Sequence, residues 1–191
     1  MIKMNHYPKR YSNSGYTALA AIIERLRGRS YGQAVADYIF EPLRMDQSRF
    51  GLQPLNTRGY LFGVPEPGYP VANMAGAGGI SSTVNDLLKW EQALNDTSLL
   101  NKNFLNELFK PRSEYRDWGA SYGYGWMIDR FMFAQSKKHA VIYHPGTDFG
   151  YYCMFAMQPD KRNLVILLNN AGDFERFDMM DLILNEINRY K

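Results

Sequence analysis

The chain has one cysteine, Cys153, and three scattered histidines, His6, His139 and His144. An intrachain disulfide is therefore excluded, and no thiolate or imidazole spacing suits a structural zinc. No metal and no cofactor is expected. Long apolar runs are also missing. Nothing approaches the roughly 20 residues of a membrane-spanning helix, and Met1-Ile2-Lys3-Met4-Asn5-His6-Tyr7-Pro8 lacks the apolar core of a signal peptide. Concentrated charge is lacking too. The net charge is +3 and the pI near 8.9, yet the longest basic run is Lys137-Lys138-His139. Nucleic-acid binders gather positive charge on one face or stripe, so no nucleic-acid partner is expected. There is no internal repeat and no low-complexity tract.

What is present points to a globular domain. Hydrophobic residues make up 46% and charged residues 21% of the chain, and 191 residues suit one domain of ordinary size. Aromatic residues reach 15%, which fits either a large core or an aromatic-lined cleft. Cys153 lies in an apolar run, where a free cysteine is usually a small buried hydrophobe.

The patterning predicts helices first and strands afterwards. Asn13 or Ser14 can cap a helix with Tyr16, Leu19, Ala20, Ile23 and Leu26 on one stripe and Gly28 as its stop. Ser30 can cap a second helix over 31–40, ended by Pro42. Residues 53–72 are rich in Pro, Gly and aromatics without periodicity, a long surface excursion. Ala75-Gly76-Ala77-Gly78-Gly79 reads as a flexible connector; without a Gly-Lys-Ser/Thr after it, it is no phosphate loop. Thr83-x-x-Asp86 opens a third helix, and a short one over 101–110 is closed by Pro111. Strands are predicted over 122–128, 140–144, 151–157 and 163–168, the last two as an antiparallel hairpin, and a final helix over 175–190 can cover the sheet. The expected fold class is α+β, with 11–115 mainly helix and loop and 116–191 antiparallel sheet plus C-terminal helix. Four strands and one helix leave the second face of the sheet uncovered.

Two short stretches carry candidate chemistry. Tyr11-Ser12-Asn13 precedes a helix start, and His144-Pro145-Gly146-Thr147 follows a strand. Each alone is an ordinary cap or turn. Their order and company are more telling. Tyr11-Ser12-Asn13-Ser14-Gly15-Tyr16, Ile39-Phe40-Glu41-Pro42-Leu43-Arg44-Met45, Ala75-Gly76-Ala77-Gly78-Gly79-Ile80-Ser81-Ser82-Thr83 with Asp86, Tyr122-Gly123-Tyr124-Gly125-Trp126 and His144-Pro145-Gly146 resemble, in sequence order, the β-lactamase-like serine hydrolases. That superfamily includes class C β-lactamases, D-alanyl-D-alanine carboxypeptidases, D-aminopeptidases and related esterases. Its members usually act outside the cytoplasm; the compartment of this chain stays open.

The resemblance implies residue roles. Tyr11 and Asn13 match the Tyr-x-Asn motif: the tyrosine moves protons near the nucleophile and Asn13 holds the substrate amide. A tyrosine with a pKa of about 10 needs nearby cations for this. His144-Pro145-Gly146 stands where class C enzymes have Lys-Thr-Gly, with His144 near Tyr11 and Gly146 leaving room for substrate against the strand. The Thr147 backbone N–H is the second oxyanion donor. Two departures matter. His144 replaces a permanent charge by a group that titrates near neutrality, and Pro145 removes a hydroxyl that helps bind a substrate carboxylate. Both favour an esterase, amidase or peptidase over an antibiotic-degrading enzyme.

The family nucleophile sits in Ser-x-x-Lys, upstream of Tyr-x-Asn. No serine of this chain has Lys three residues on, and no nucleophile elbow is read in it. The chain is thus expected to be the C-terminal part of such a hydrolase, inactive alone, its partner a small amide or ester substrate. The alternative is a non-catalytic peptide-binding or interaction module on the same fold. The uncovered sheet face predicts self-association.

Overall fold

Apolar residues from 141 to 169 alternate between two directions, and a computed structural model of the chain turns this alternation into the middle of an antiparallel sheet. It describes residues 11–51, 57–68, 70–115, 119–129, 133, 139–172 and 174–189. The leading segment 1–8, Gln53 and its neighbours to 56, Lys137, Lys138 and Tyr190 lie outside the described residues.

The strands of the main sheet are β5 (Ser113–Tyr115), β6 (Ala120–Tyr122), β7 (Met127–Asp129), β8 (Val141–Asp148), β9 (Tyr151–Gln158) and β10 (Asn163–Asn169). They lie in the order β10-β9-β8-β7-β6-β5, with every neighbouring pair antiparallel. On one face Val141, Tyr143, Met154, Ala156 and Val165 meet Met180 and Leu184 of the C-terminal helix α5 (Arg176–Arg189). On the other, Ile142, Phe155 and Met157 meet Leu94 of α3 (Val84–Asp96) and Leu105 of α4 (Lys102–Leu108). The period of two therefore serves two cores, and the α+β reading holds.

The second face is not open, contrary to the sequence expectation. The predicted sheet lacked a cover there because α3 and α4 precede the strands and their return across the sheet leaves no local mark. Exposed apolar surface lies instead on α1 (Asn13–Arg27). Ala20 is buried, but Leu19 is 54% and Leu26 77% exposed, and Ile22 and Ile23 are exposed beside them.

Several boundaries differ from the expected ones for local reasons. Ser12, not Asn13 or Ser14, caps α1; its Oγ accepts the Gly15 N–H at 3.1 Å. Gly28 closes the helix in the left-handed region, as expected. The second helix is α only over Tyr31–Val35 (α2) and widens to a π-turn over Ala36–Phe40, just before Pro42, which has no N–H to continue an α ladder. The 122–128 strand is two strands: Gly123 donates to the Trp126 carbonyl at 2.8 Å and Gly125 has φ of 84°, so the chain reverses between β6 and β7. The three-residue β5 has no sequence signal. β8 does not stop at His144 but runs through Pro145 and Gly146. β7 pairs with it only over Val141, Ile142 and Tyr143, so on that side the proline costs no ladder bond. The glycine connector is packed, not free: a Cβ on Gly76 would overlap the Tyr16 carbonyl of α1.

The remaining elements are small. β1 (Arg49–Phe50) pairs with β4 (Ile80–Ser81), and β2 (Tyr60–Leu61) with β3 (Val64–Pro65) inside the surface excursion. Thr83 caps α3 as expected, accepting the Asp86 N–H at 3.3 Å. Asp86 is itself buried. Its carboxylate accepts from the Gln47 N–H at 2.9 Å, Ser48 Oγ at 2.8 Å and Lys89 Nζ at 2.9 Å, tying α3 to the 44–48 turn. Burial pushes this carboxyl up, but the Lys89, Ser48 and Gln47 hydrogen bonds outweigh it and hold the pKa below its ordinary value.

Asp86→Ala leaves buried donors without their acceptor and is expected to cost about 2–3 kcal/mol in urea unfolding near neutral pH. The folded pKa lies below the unfolded one, so this contribution is present above the unfolded value of about 4 and fades as pH falls through the folded one. Variant and wild type should converge in strong acid; a gap independent of pH counts against it.

Candidate active site

The N-terminal end of α1 and the far half of β8 converge where β7 no longer lies alongside. Tyr11, exposed just ahead of the Ser12 cap, sets its ring edge-on to Tyr122 at 5.8 Å between centroids and tilted against His144 at 6.1 Å. Tyr122 Oη lies 3.2 Å from His144 Nε2, and His144 Nδ1 lies 2.7 Å from the Pro145 carbonyl oxygen. Tyr115 of β5 stands 5.8 Å from Tyr122. Tyr16, one turn into α1, lies near enough to Tyr122 to act on its hydroxyl.

The five candidates separate accordingly. Tyr11 and His144 are brought together. Asn13 is the first residue of α1, exposed, its carbonyl accepting the Thr17 hydroxyl at 3.2 Å. Gly146 and Thr147 follow His144 on β8, opposite Cys153 and Tyr152 of β9. A Cβ on Gly146 would overlap the Cys153 sulfur, so a larger residue there requires that sulfur to move. Its carbonyl accepts from Arg176 Nη1 at 3.1 Å, from the first residue of α5. Arg176 in turn lies over the Tyr152 ring.

Electrostatically the cluster disfavours charge. Burial, and then the charges Tyr16 and Tyr115 would carry, push the Tyr11 hydroxyl above its ordinary pKa. Burial and the neighbouring phenols, Tyr16 first among them, push Tyr122 further up. Burial pulls His144 down, only partly offset by its bond to the Pro145 carbonyl. Burial raises the Cys153 thiol, against the opposing influences of Arg176 and the Gly146 N–H. His144 therefore does not supply the positive charge that a Tyr11 phenolate needs. Among the described residues no group of three or more His, Cys, Asp or Glu could hold a metal ion.

Two features escaped the sequence reading. Tyr122 packs against both Tyr11 and His144, although its Tyr-Gly-Tyr-Gly-Trp stretch was read only as strand and as part of the family resemblance, with no site role. Gly119-Ala120-Ser121-Tyr122-Gly123 also has the Gly-x-Ser-x-Gly spacing that was passed over. It is not an elbow: Ser121 is buried in β6, paired with Ile128 of an antiparallel neighbour, and no helix follows it.

With this geometry in hand, the family is clear from comparison. A profile described as Beta-lactamase matches residues 6–186. The chain belongs to the Beta-lactamase family. It is 27% identical over 188 residues to penicillin-binding protein 4* of Bacillus subtilis, with 88% of this chain and 41% of that protein covered. To a D-aminopeptidase of Brucella canis it is 26% identical over 180 residues, covering 88% of this chain and 32% of that protein. Among solved structures, D-amino acid amidase from Ochrobactrum anthropi in complex with D-phenylalanine superposes with a TM-score of 0.79 at 24% identity, over 97% of this chain and 60% of that one. An octameric penicillin-binding protein homologue from Pyrococcus abyssi gives 0.78 at 24% identity, over 95% and 44%. These two likenesses concern the fold. The chain spans less than half the length of the curated relatives it matches.

The Gly146–Cys153 contact yields a double-mutant test. Gly146→Ala is expected to cost about 1–3 kcal/mol by overpacking. With Cys153→Ala beside it the combined loss should be clearly less than the sum of the two single losses. Additive losses in urea unfolding would mean that the sulfur simply swings aside.

Proposed function

We propose that this chain is the C-terminal part of a penicillin-recognising serine hydrolase that works through an acyl-enzyme, and that it is inactive by itself. The observation that carries the reading is the meeting of Tyr11 with His144, the Tyr-x-Asn and His-Pro-Gly motifs, from distant parts of the chain. The absence of any Ser-x-x-Lys here and the greater length of the relatives support the second half.

In this reading Tyr11 passes a proton to the leaving group in acylation and accepts one from water in deacylation. Asn13 holds the substrate amide. Gly146 lets an extended substrate lie along the part of β8 that β7 leaves unpaired, and the Thr147 N–H is one of two donors to the oxyanion, a kind of contact that contributes several kcal/mol. The substrate is an amide or ester. The names D-aminopeptidase and D-amino acid amidase among the similar proteins favour cleavage of amides at a D-residue. Pro145, in place of a hydroxyl that helps bind a carboxylate, points away from β-lactam antibiotics.

Self-association is part of the same reading, now placed on the exposed α1 stripe instead of the sheet face. Light scattering at high concentration should show oligomers; a monodisperse monomer excludes it.

The decisive experiment is intact-mass spectrometry after a fluorophosphonate and, separately, a penicillin, with circular dichroism to show the chain is folded. No adduct is expected. Joining an upstream segment that carries Ser-x-x-Lys should restore an adduct and amide hydrolysis, with Tyr11→Phe slowing turnover by about 10²–10⁴-fold. A stoichiometric adduct on the chain alone overturns the inactive-fragment reading. Efficient nitrocefin hydrolysis by the joined enzyme overturns the substrate assignment. A joined protein that binds penicillin without acylation becomes a non-catalytic binding module.

A further inference from the structure

Hydrogen-bond bookkeeping at His144 assigns a residue that the hydrolase reading leaves without a role. A carbonyl oxygen cannot donate, so the 2.7 Å contact with the Pro145 carbonyl requires the proton on Nδ1. In the neutral ring Nε2 is then a bare lone pair, and the 3.2 Å contact with Tyr122 requires the phenol to donate. With its one hydrogen spent on His144, the Tyr122 oxygen is left as an acceptor only. The relay from Tyr122 to His144 to the Pro145 carbonyl therefore runs in one direction, and both ring nitrogens are used.

We propose that Tyr122 is a positioning residue of the site: its hydroxyl occupies Nε2 while the Pro145 carbonyl holds the proton on Nδ1, so that His144 braces Tyr11 instead of exchanging protons with substrate. The assignment rests on the reading of Tyr11 and His144 as site residues. The geometry supports it from several elements. Tyr122 is buried, held edge-on by Tyr11 and by Tyr115 of β5, so its hydroxyl has little freedom to turn away. Tyr11 alone in the set is substantially exposed, at 37%. Among the described residues, the titratable groups set against His144 are the phenols Tyr11 ahead of α1 and Tyr122 on β6, with Tyr115 on β5 and Tyr16 on α1 behind Tyr122. Cys153 on β9 and Asp148 on β8 lie farther along the same two strands. A donor aimed at Nε2 favours the neutral ring, in the same direction as its burial.

The test uses the chain as it stands, labelled with ¹⁵N. Two-bond proton–nitrogen correlation of the imidazoles should show wild-type His144 neutral and as the Nδ1–H tautomer, with a titration midpoint below the ordinary value of about 6.5. Tyr122→Phe keeps the ring contacts and removes only the donor. With the Pro145 carbonyl still holding the Nδ1 proton, the variant should keep the tautomer and raise the midpoint by roughly one pH unit, and His144 should become more reactive toward diethylpyrocarbonate, which acylates a free imidazole lone pair. A wild-type Nε2–H tautomer overturns the proposal, and that measurement stands even if the variant does not fold. An unchanged midpoint and reactivity in a folded Tyr122→Phe chain overturn it equally. None of these readouts needs a nucleophile. An inactive joined enzyme would therefore sink the hydrolase reading alone, and a wrong tautomer in an active one would sink this assignment alone.

Discussion

The β8–β9 ladder is the constraint from which the rest of the structure follows. Seven consecutive residue pairs, from Ile142 with Met157 to Asp148 with Tyr151, hold the two strands in one register. A slip by one residue would exchange their faces, sending Tyr143 and Ala156 toward α3 and α4 and Phe155 toward α5. Both cores would fail together. The same register places Gly146 opposite Cys153, where an added Cβ would displace the sulfur, and sets His144 at the point where β7 has ended. Core and site are thus two halves of one strand. The first half is paired on both sides and buried. The second is paired with β9 alone and carries the residues that face Tyr11.

This division explains what was legible in the sequence. Strands with strong alternation, helices with Thr83 or Ser30 at their start, and the hairpin around Pro159 are written in local chemistry, and all are found. The surface over the second sheet face was not legible, because it depends on where α3 and α4 return and not on any pattern within them. The reversal at Gly123 and Gly125 was hidden by an aromatic–glycine alternation that mimics the period of a strand. β8 was cut short at His144 because Pro145 normally ends a strand; it does so only where a ladder bond would be lost, and here β7 has already stopped.

Within the site, sequence could name Tyr11 and His144 but not the link between them. Tyr122 lies on β6, and nothing in Tyr-Gly-Tyr-Gly-Trp says that one of its two phenols points at an imidazole while the other is exposed. Gly119-Ala120-Ser121-Tyr122-Gly123 shows the converse. It has the spacing of a nucleophile elbow, yet an elbow is a strained strand-to-helix turn, and an antiparallel hairpin buries the same serine. A motif is decided by the backbone that carries it.

The neutral state of His144 has a consequence for charge balance. A phenolate at Tyr11 must be formed against burial and against the charges its tyrosine neighbours would carry, and the imidazole beside it brings no compensating cation. In the hydrolase reading the compensation then comes from one of two sources. The lysine of Ser-x-x-Lys supplies a fixed charge whatever the substrate, so Tyr11 is poised before binding. A substrate with a free ammonium supplies the charge only on arrival, which couples proton transfer to occupancy and rewards aminopeptidase-like substrates over acidic ones. Lys-Thr-Gly in the class C pattern places a second permanent cation beside the tyrosine. With His144 tied at both nitrogens that cation is gone, and the demand on the remaining source is correspondingly greater.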